Sequence, residues 1–462
     1  MAEKGKKNFW NFVDKLEGDK VVWIIALMLM MFSVICIFSS TSRLLSGGQT
    51  RLDMVKEQLV TVAIGLAVLI ICYNIRNVKI LKFFSMFGFA ISMGLLLTLL
   101  SGVDLGFVKS VEINGARRIL ELGSIQLHVN EVVKVAMVMY LAWAIDALRN
   151  GKLRFFAGDV KRQRILYIYA PFIITTLCLL PGSNSAALFT GGIMFLVILL
   201  GGDSGKDMLL LLLAAVALLL LCIGIYKVSG GRMLQRIGTG IERVLADDDM
   251  ERQALESKPG TQDFQEAIDE IRQPYSAKIA VHQGGLIGKG PGQSTQRYIV
   301  PDISEDYMYS FIIEEYGILG GFLVLILYLS LLARGSLIVR NCGPDRNNLF
   351  GKLAVAGLVL LISGQAFLHI MVNVDIGPMT GQTLPLVSHG RSAFLCFSLA
   401  FGILLSISRI ASKAMAKEQL HADPLVDRRQ EMAPVENDLA DLDRFETDGN
   451  TEETIDEEDY GL

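Results

Sequence analysis

Charge is what this sequence lacks. Only 19% of its 462 residues are Asp, Glu, Lys or Arg, against 52% hydrophobic residues and a mean hydropathy of +0.45. That balance excludes an ordinary soluble domain. Cysteine is scarce: six residues, five of them in apolar runs and none in CxxC spacing. Neither a zinc site nor a disulfide framework is indicated, and the thiols read as small buried apolar groups. The long apolar runs do not alternate with period two, which excludes a membrane β-barrel. The first run, near 21–41, ends in SSTSR without a small-x-small cleavage site. It reads as a retained helix rather than a signal peptide.

What the chain does have is a series of apolar runs long enough to span a bilayer as helices. Ten spans are expected, near 21–41, 57–74, 79–101, 130–148, 165–181, 185–201, 207–227, 307–333, 351–372 and 384–410. The expected fold is therefore an all-α polytopic membrane protein. Residues 1–20 form an N-terminal tail, 21–410 the membrane domain and 411–462 an acidic C-terminal tail. From Glu418 onward there are sixteen Asp or Glu and three Arg, so residues 1–417 carry a net +9 within an overall −4. So acidic and apolar-poor a tail is expected to be disordered.

Basic residues set the orientation. They crowd the N-terminal tail (Lys4, Lys6, Lys7), the segment RNGKLRFFAGDVKRQR after the fourth span, and the segment following the last. Both termini are thus expected in the cytoplasm. This places the connection 102–129 and the long loop 228–306 on the outer face. A loop that long is more often functional than a mere connector.

Four stretches could carry chemistry. QGGLIGKGPGQSTQR (283–297) is glycine-rich and bears Lys289, Ser294, Gln296 and Arg297, groups suited to phosphate. It is not a P-loop, because GK is followed by Gly290; a plain turn-rich loop is the simpler reading. NGARRILELGSIQLHVNEVVKVAMVMYLA (114–142) pairs Arg117 and Arg118 with Glu131 and Lys134, which lie three apart on one helix face. It reads equally as a helix-positioning ion pair and as a cationic clamp for a phosphorylated ligand.

In VPDISEDYMYSFIIEEYGILGG (300–321), Asp306 falls where the outer loop gives way to a span, with Ser304 as an N-cap candidate. Glu314 and Glu315 lie roughly 12–13 Å deeper, too far for a paired-carboxylate glycosidase site. Interhelical pairing is the reading favoured for these two. The last stretch, from Asp375 to Arg409, opens with two prolines, Gly390 and the polar cluster Ser388, His389, Arg391 and Ser392. Such an opening points to broken helix geometry lining a cavity. His389 has no second histidine at metal-ligand spacing.

Together and in this order, these motifs resemble the SEDS family of bacterial cell-wall proteins, which includes FtsW, RodA and SpoVE, over nearly all of residues 20–410. The family pattern is met by Asn114, Gly115, Ala116, Arg118, Glu131 and Lys134, by GGLIGKGPGQSTQRYIVPDISEDY with its acid at Asp306, and by Glu314, Glu315, Gly317 and Gly320. Leu384, Pro385, Ser388, Gly390 and Ser392 meet the last motif. The chain departs from it at Ile119, at His128-Val129-Asn130, at Ser304-Glu305, and at His389 and Arg391. The ending TGQTLPLVS…AFGILLSISR looks more like the septal member, FtsW, than like RodA.

The resemblance implies a peptidoglycan glycosyltransferase of the bacterial inner membrane that polymerises lipid II during cell division. Asp306 would be the base on the acceptor sugar hydroxyl. Arg118, Lys134 and Arg297 would face the pyrophosphate, and Glu131, Lys289, Ser294, Gln296 and Ser388 would complete the substrate site. No cofactor motif is present; a divalent cation, Mg²⁺ or Mn²⁺, is the alternative to protein cations on the leaving group. The implied partners are a class B penicillin-binding transpeptidase and other divisome proteins; no nucleic acid is implied. A lipid II flippase and a non-catalytic divisome scaffold are the competing readings.

Overall fold

The computed structural model describes residues 17–41, 51–102, 104, 106, 108–113, 116–123, 125–202, 261–300, 303–343, 348–377 and 379–422, with isolated residues between 209 and 224. The expected seventh span, most of the first half of the long loop and most of both tails lie outside the described residues. Met1–Ala411 form one compact unit and a second begins at Ser412; everything below concerns the first.

Its elements are α1 (Lys20–Ser40), α2 (Arg51–Tyr73), α3 (Val78–Ser101), β1 (Val108–Ile113), β2 (Ala116–Leu122), β3 (Ile125–His128) and α4 (Val129–Arg149). Next come α5 (Val160–Arg164), running through a π-helical turn into α6 (Ala170–Leu179), then α7 (Asn184–Leu200) and α8 (Gln262–Gly284). The long helices α9 (Met308–Asn341), α10 (Leu349–Asn373) and α11 (Arg391–Ala422) follow. Among the described residues, six helices (α1, α2, α3, α9, α10 and α11) are long and apolar enough to cross a membrane. Their exposed faces carry large apolar side chains, including Ile24, Met31, Phe83, Phe87, Phe322 and Ile326. In water such a surface would aggregate; in lipid it is solvated.

α4 sits centrally, against α3, α7 and α10. Its charges are paired inside the bundle: Glu131 with Lys134, and Asp146 with Lys82 of α3 at 2.5 Å. Backbones approach closely where glycine leaves room. A Cβ on Gly357 of α10 would meet Val138 of α4 at 2.6 Å, and one on Gly402 of α11 would meet the Leu69 carbonyl of α2 at 2.6 Å. At the far end from β1–β3, Asp19 caps α1 and pairs with Arg334 of α9.

Two features correct the all-helical expectation. The 102–129 connection contains an antiparallel sheet in the order β1-β2-β3. Across the second ladder, apolar Leu120 opposes Leu127 and polar Glu121 opposes Gln126, the period-two pattern of a half-buried strand. The other feature is a break in α9. Gly317 has φ 70° and ψ −176° in mid-helix, a conformation open to glycine alone.

Four backbone groups on the two sides of the break pair with the glycine-rich loop. Lys289 and Gly290 N–H donate to the Glu314 and Glu315 carbonyls at 2.9 Å each. In return, Ile318 and Leu319 N–H donate to the Gly285 and Leu286 carbonyls at 2.9 and 3.3 Å. Residues 285–290 thus replace the missing helical hydrogen bonds, as irregular backbone inside a bundle requires.

Candidate active site

Asp306 lies in the turn 303–307 that leads into α9. Ser304 does not cap this helix: its N-cap is Tyr307, which makes no side-chain cap bond. Helix α10 caps it instead. His369 Nε2 accepts from Tyr309 N–H at 3.3 Å, and Asn373 Oδ1 accepts from Ser310 N–H at 2.9 Å. These satisfy two of the donors every helix start leaves orphaned. Asn373 also donates through Nδ2 to the Asp306 carbonyl at 3.0 Å. The same pair of α10 side chains, one helical turn apart, therefore starts α9 and fixes the backbone of Asp306.

The other wall is the irregular segment 379–390, which replaces the first turns of the expected last span; α11 begins only at Arg391. Leu386 (φ 60°) and Gly390 (φ 155°) hold its bends. Ser388 Oγ accepts from Leu384 N–H at 2.9 Å and donates to the Glu305 carbonyl at 2.8 Å, while His389 N–H donates to the Ser304 carbonyl at 2.8 Å. Tyr328 of α9 and Ser33 of α1 donate to the Pro385 and Val387 carbonyls. Gly381 lies beside the acid: a side chain there would come within 3.6 Å of Asp306 Oδ2. Asp306 itself is half-buried.

Next along this segment, Gln382 reaches the buried cation. Lys134, only 1% exposed, gives its three N–H donors to Glu131 Oε1 (2.7 Å), Gln365 Oε1 (2.8 Å) and Gln382 Oε1 (2.7 Å). The ring of Phe189 lies 5.7 Å from Nζ. An ammonium can donate three hydrogen bonds and no more, so this one is saturated. Glu131 Oε2 is buried without a hydrogen-bond partner. The Gln382 carbonyl meets His369 Nδ1 at 2.6 Å. Because His369 Nε2 accepts, Nδ1 carries the proton by the logic of the network. Asp306, Gly381, Gln382, Lys134 and Glu131 thus form one connected constellation.

The sheet brings Arg118 to the same end of the bundle. Arg118 Nε donates to the Gly182 carbonyl, ahead of α7, at 2.9 Å, and Ser185 donates to the Thr380 carbonyl of the irregular segment at 2.7 Å. His128 N–H, at the start of α4, donates to Ser392 Oγ of α11 at 3.2 Å. Arg117 is exposed and turns to the Leu100 carbonyl. Asn114 and Gly115 lie outside the described residues.

The remaining loop residues are engaged elsewhere. Glu314 and Glu315 are fully buried. They bind the glycine-rich loop, and Glu315 also reaches Ser39 of α1, an interhelical contact of the kind expected from the sequence. Glu314 accepts from Lys289 Nζ (2.6 Å), Ser294 Oγ, Thr295 N–H (2.9 Å) and Thr295 Oγ1 (2.9 Å). Glu315 accepts from Ser39 of α1, Gly292 N–H (3.0 Å) and Ser294 N–H (3.3 Å). Arg297 donates to the Ser39 carbonyl at 2.8 Å, 3.9 Å from Glu315, with Tyr298 under its guanidinium. Gln296 is buried, and its Oε1 has no partner. Filled lone pairs offset much of the cost of burying these two carboxylates, and the loop together with Ser39 fills them.

His369, Asn373, Gln365 and Gln382 were not among the expected site residues. For Gln365, His369 and Asn373 the signal was present, as polar side chains one turn apart in the largely apolar α10, but nothing in the sequence says which neighbour they meet; Gln382, in the irregular segment, carried no such signal. Among the described residues, no three His, Cys, Asp or Glu side chains gather as a metal site would require.

An α-helical bundle of this kind, with six described helices long and apolar enough to cross a membrane, is an integral membrane protein. The family described as Cell cycle protein, FTSW_RODA_SPOVE, matches residues 19–413, and the chain belongs to it. Among its relatives, the probable peptidoglycan glycosyltransferase FtsW of Coxiella burnetii is 26% identical over 364 residues, covering 76% of this chain and 85% of that one. The peptidoglycan glycosyltransferase MrdB of Escherichia coli K12 is 26% identical over 411 residues, covering 87% and 95%. Among solved structures, a chain of a peptidoglycan synthase complex that coordinates polymerization and crosslinking shares the fold, with a TM-score of 0.58 and 21% identity over 85% of this chain and 98% of that one.

Proposed function

We propose that this chain is a peptidoglycan glycosyltransferase that polymerises lipid II at the outer face of the bacterial inner membrane, at the division septum, with Asp306 as general base. The observation that carries the reading is the clamping of Asp306 between α10 and the 379–390 segment, next to the Lys134 constellation. Relatives named as peptidoglycan glycosyltransferases support the activity. The FtsW-like ending of the sequence supports the septal role. The match to a synthase complex supports a class B penicillin-binding transpeptidase as partner.

In the proposed step the acceptor 4-hydroxyl gives its proton to the Asp306 carboxylate as its oxygen bonds to the donor's anomeric carbon. The bond from that carbon to the pyrophosphate oxygen breaks, and undecaprenyl pyrophosphate leaves with the electron pair. A base must sit within hydrogen-bond reach of the proton it takes, which a rigidly held, half-buried acid at a helix start can do. Preorganised positive charge favours the departing anion. Arg118 is the proposed contact from the sheet; Lys134 and Glu131 hold Gln382, and through it the wall beside Asp306. Ser388 acts on the same wall by fixing the Glu305 carbonyl. Lys289, Ser294, Gln296 and Arg297 have their proposed role in building the loop over α9 that borders the site.

Purified full-length chain with its transpeptidase partner, supplied with lipid II in vesicles, tests this reading. Glycan strands are the expected product. Translocation of lipid II without polymer would establish the flippase reading instead, and neither activity would favour a scaffold.

A further inference from the structure

The positions at which the chain departs from its family pattern around Asp306 meet in space. Glu305, beside the acid, faces His389 across the turn, with Nδ1 to Oε1 at 3.3 Å. On the other side of the imidazole, Nε2 lies 3.7 Å from Glu57 Oε1 of α2. Arg391 Nε donates to the same Glu57 oxygen at 2.7 Å. The His389 side chain is 16% exposed, whereas Arg391 is 61% exposed. Nε2 is buried and has no hydrogen-bond partner. Among the described residues, the charged groups on this imidazole are Glu57 from α2 and Glu305 from the turn, with Arg391 of α11 on the far side of Glu57 and Asp306 next in the chain.

Both ring nitrogens face a carboxylate. A neutral imidazole has one N–H and one lone pair, so one carboxylate would face a lone pair. Only the imidazolium presents a donor to each. We propose that His389, in its charged form clamped between Glu57 and Glu305, is a positioning residue that holds the Asp306 turn against α2 and the 379–390 segment. It does not touch substrate; it acts through Glu305. The inference rests on the proposal that Asp306 is the base.

Loss of the imidazole's charge or of the Glu305 carboxylate weakens the clamp. The backbone bonds from His389 N–H to Ser304 and from Ser388 Oγ to Glu305 remain, so the turn loosens rather than detaches. A misplacement of the base by a fraction of an ångström lowers kcat by about tenfold, with KM little changed.

Full-length protein with its partner would be followed at one fixed pH by lipid II polymerisation, and in parallel by backbone amide exchange of residues 303–308. His389→Gln keeps one donor and no charge. It should lower kcat by about tenfold with KM little changed, and raise exchange in 303–308. Glu305→Gln should do the same, and the double substitution should add less than about twofold, as members of one interaction do. Asp306→Asn, run alongside, should lower polymerisation by about 10²–10⁴-fold without changing exchange. Single-variant losses that multiply, or a His389→Gln profile like the wild type in both readouts, would overturn the clamp. An active Asp306→Asn would instead overturn the base assignment, leaving the exchange result intact.

Discussion

Lys134 is costly to hold inside the bundle. An ammonium removed from water must have its donors filled, and Glu131, Gln365 and Gln382 fill all three. Lys134→Met removes the cation but leaves Glu131 buried and uncompensated. The expected loss is about 3–5 kcal/mol, read as a lower midpoint of thermal unfolding in detergent. Glu131→Gln keeps an acceptor for Nζ and should cost clearly less. Equal losses from the two would mean that charge pairing is not what the site depends on. The Glu131–Lys134 pairing was legible from a spacing of three on one helix. The two glutamines were not, because they stand 231 and 248 residues further along the chain.

At the scale of elements, the stitch between α9 and the glycine-rich loop explains why acids and glycines stand together in EEYGILGG. Gly317 supplies the break, and Glu314 and Glu315 supply both carbonyls and carboxylates to the loop that fills it. A Cβ on Gly317 would overlap the Leu286 carbonyl oxygen and lie 2.5 Å from Gly288 N, backbone atoms that cannot step aside. Gly317→Ala is expected to cost about 3 kcal/mol or more and to lower the yield of folded protein. Gly192→Ala in α7, where a Cβ meets nothing within 4 Å, should be neutral; an equally stable Gly317→Ala would contradict the stitch. The apolar runs made the helices legible, because burial in lipid imposes a length and composition that a sequence displays directly. The break was only half legible: Gly317 could be seen, but its partner loop lies well upstream, across the start of α9. The sheet carries a period-two pattern that short amphipathic strands share with many loops, and it reads from sequence as a connection.

At the scale of the molecule, the site is a convergence of ends. The start of α4, the start of α9, the end of α10 and the segment before α11 meet around Asp306, Gln382 and Lys134. Rigid helices carry the side chains, while the irregular segment 379–390 closes one wall. The proposed substrate has a lipid tail and a polar head, and the proposed site lies at one end of a lipid-solvated bundle. This is why the proposed chemistry belongs in a membrane protein.

The most direct measurement is the initial rate of glycan polymerisation from lipid II by the full-length chain with its partner, wild type against Asp306→Asn. Asparagine keeps the size of the side chain and removes only the base. A loss of about 10²–10⁴-fold is expected, with the thermal midpoint and lipid II binding retained. Polymerisation at the wild-type rate would contradict the assignment of Asp306 as the general base.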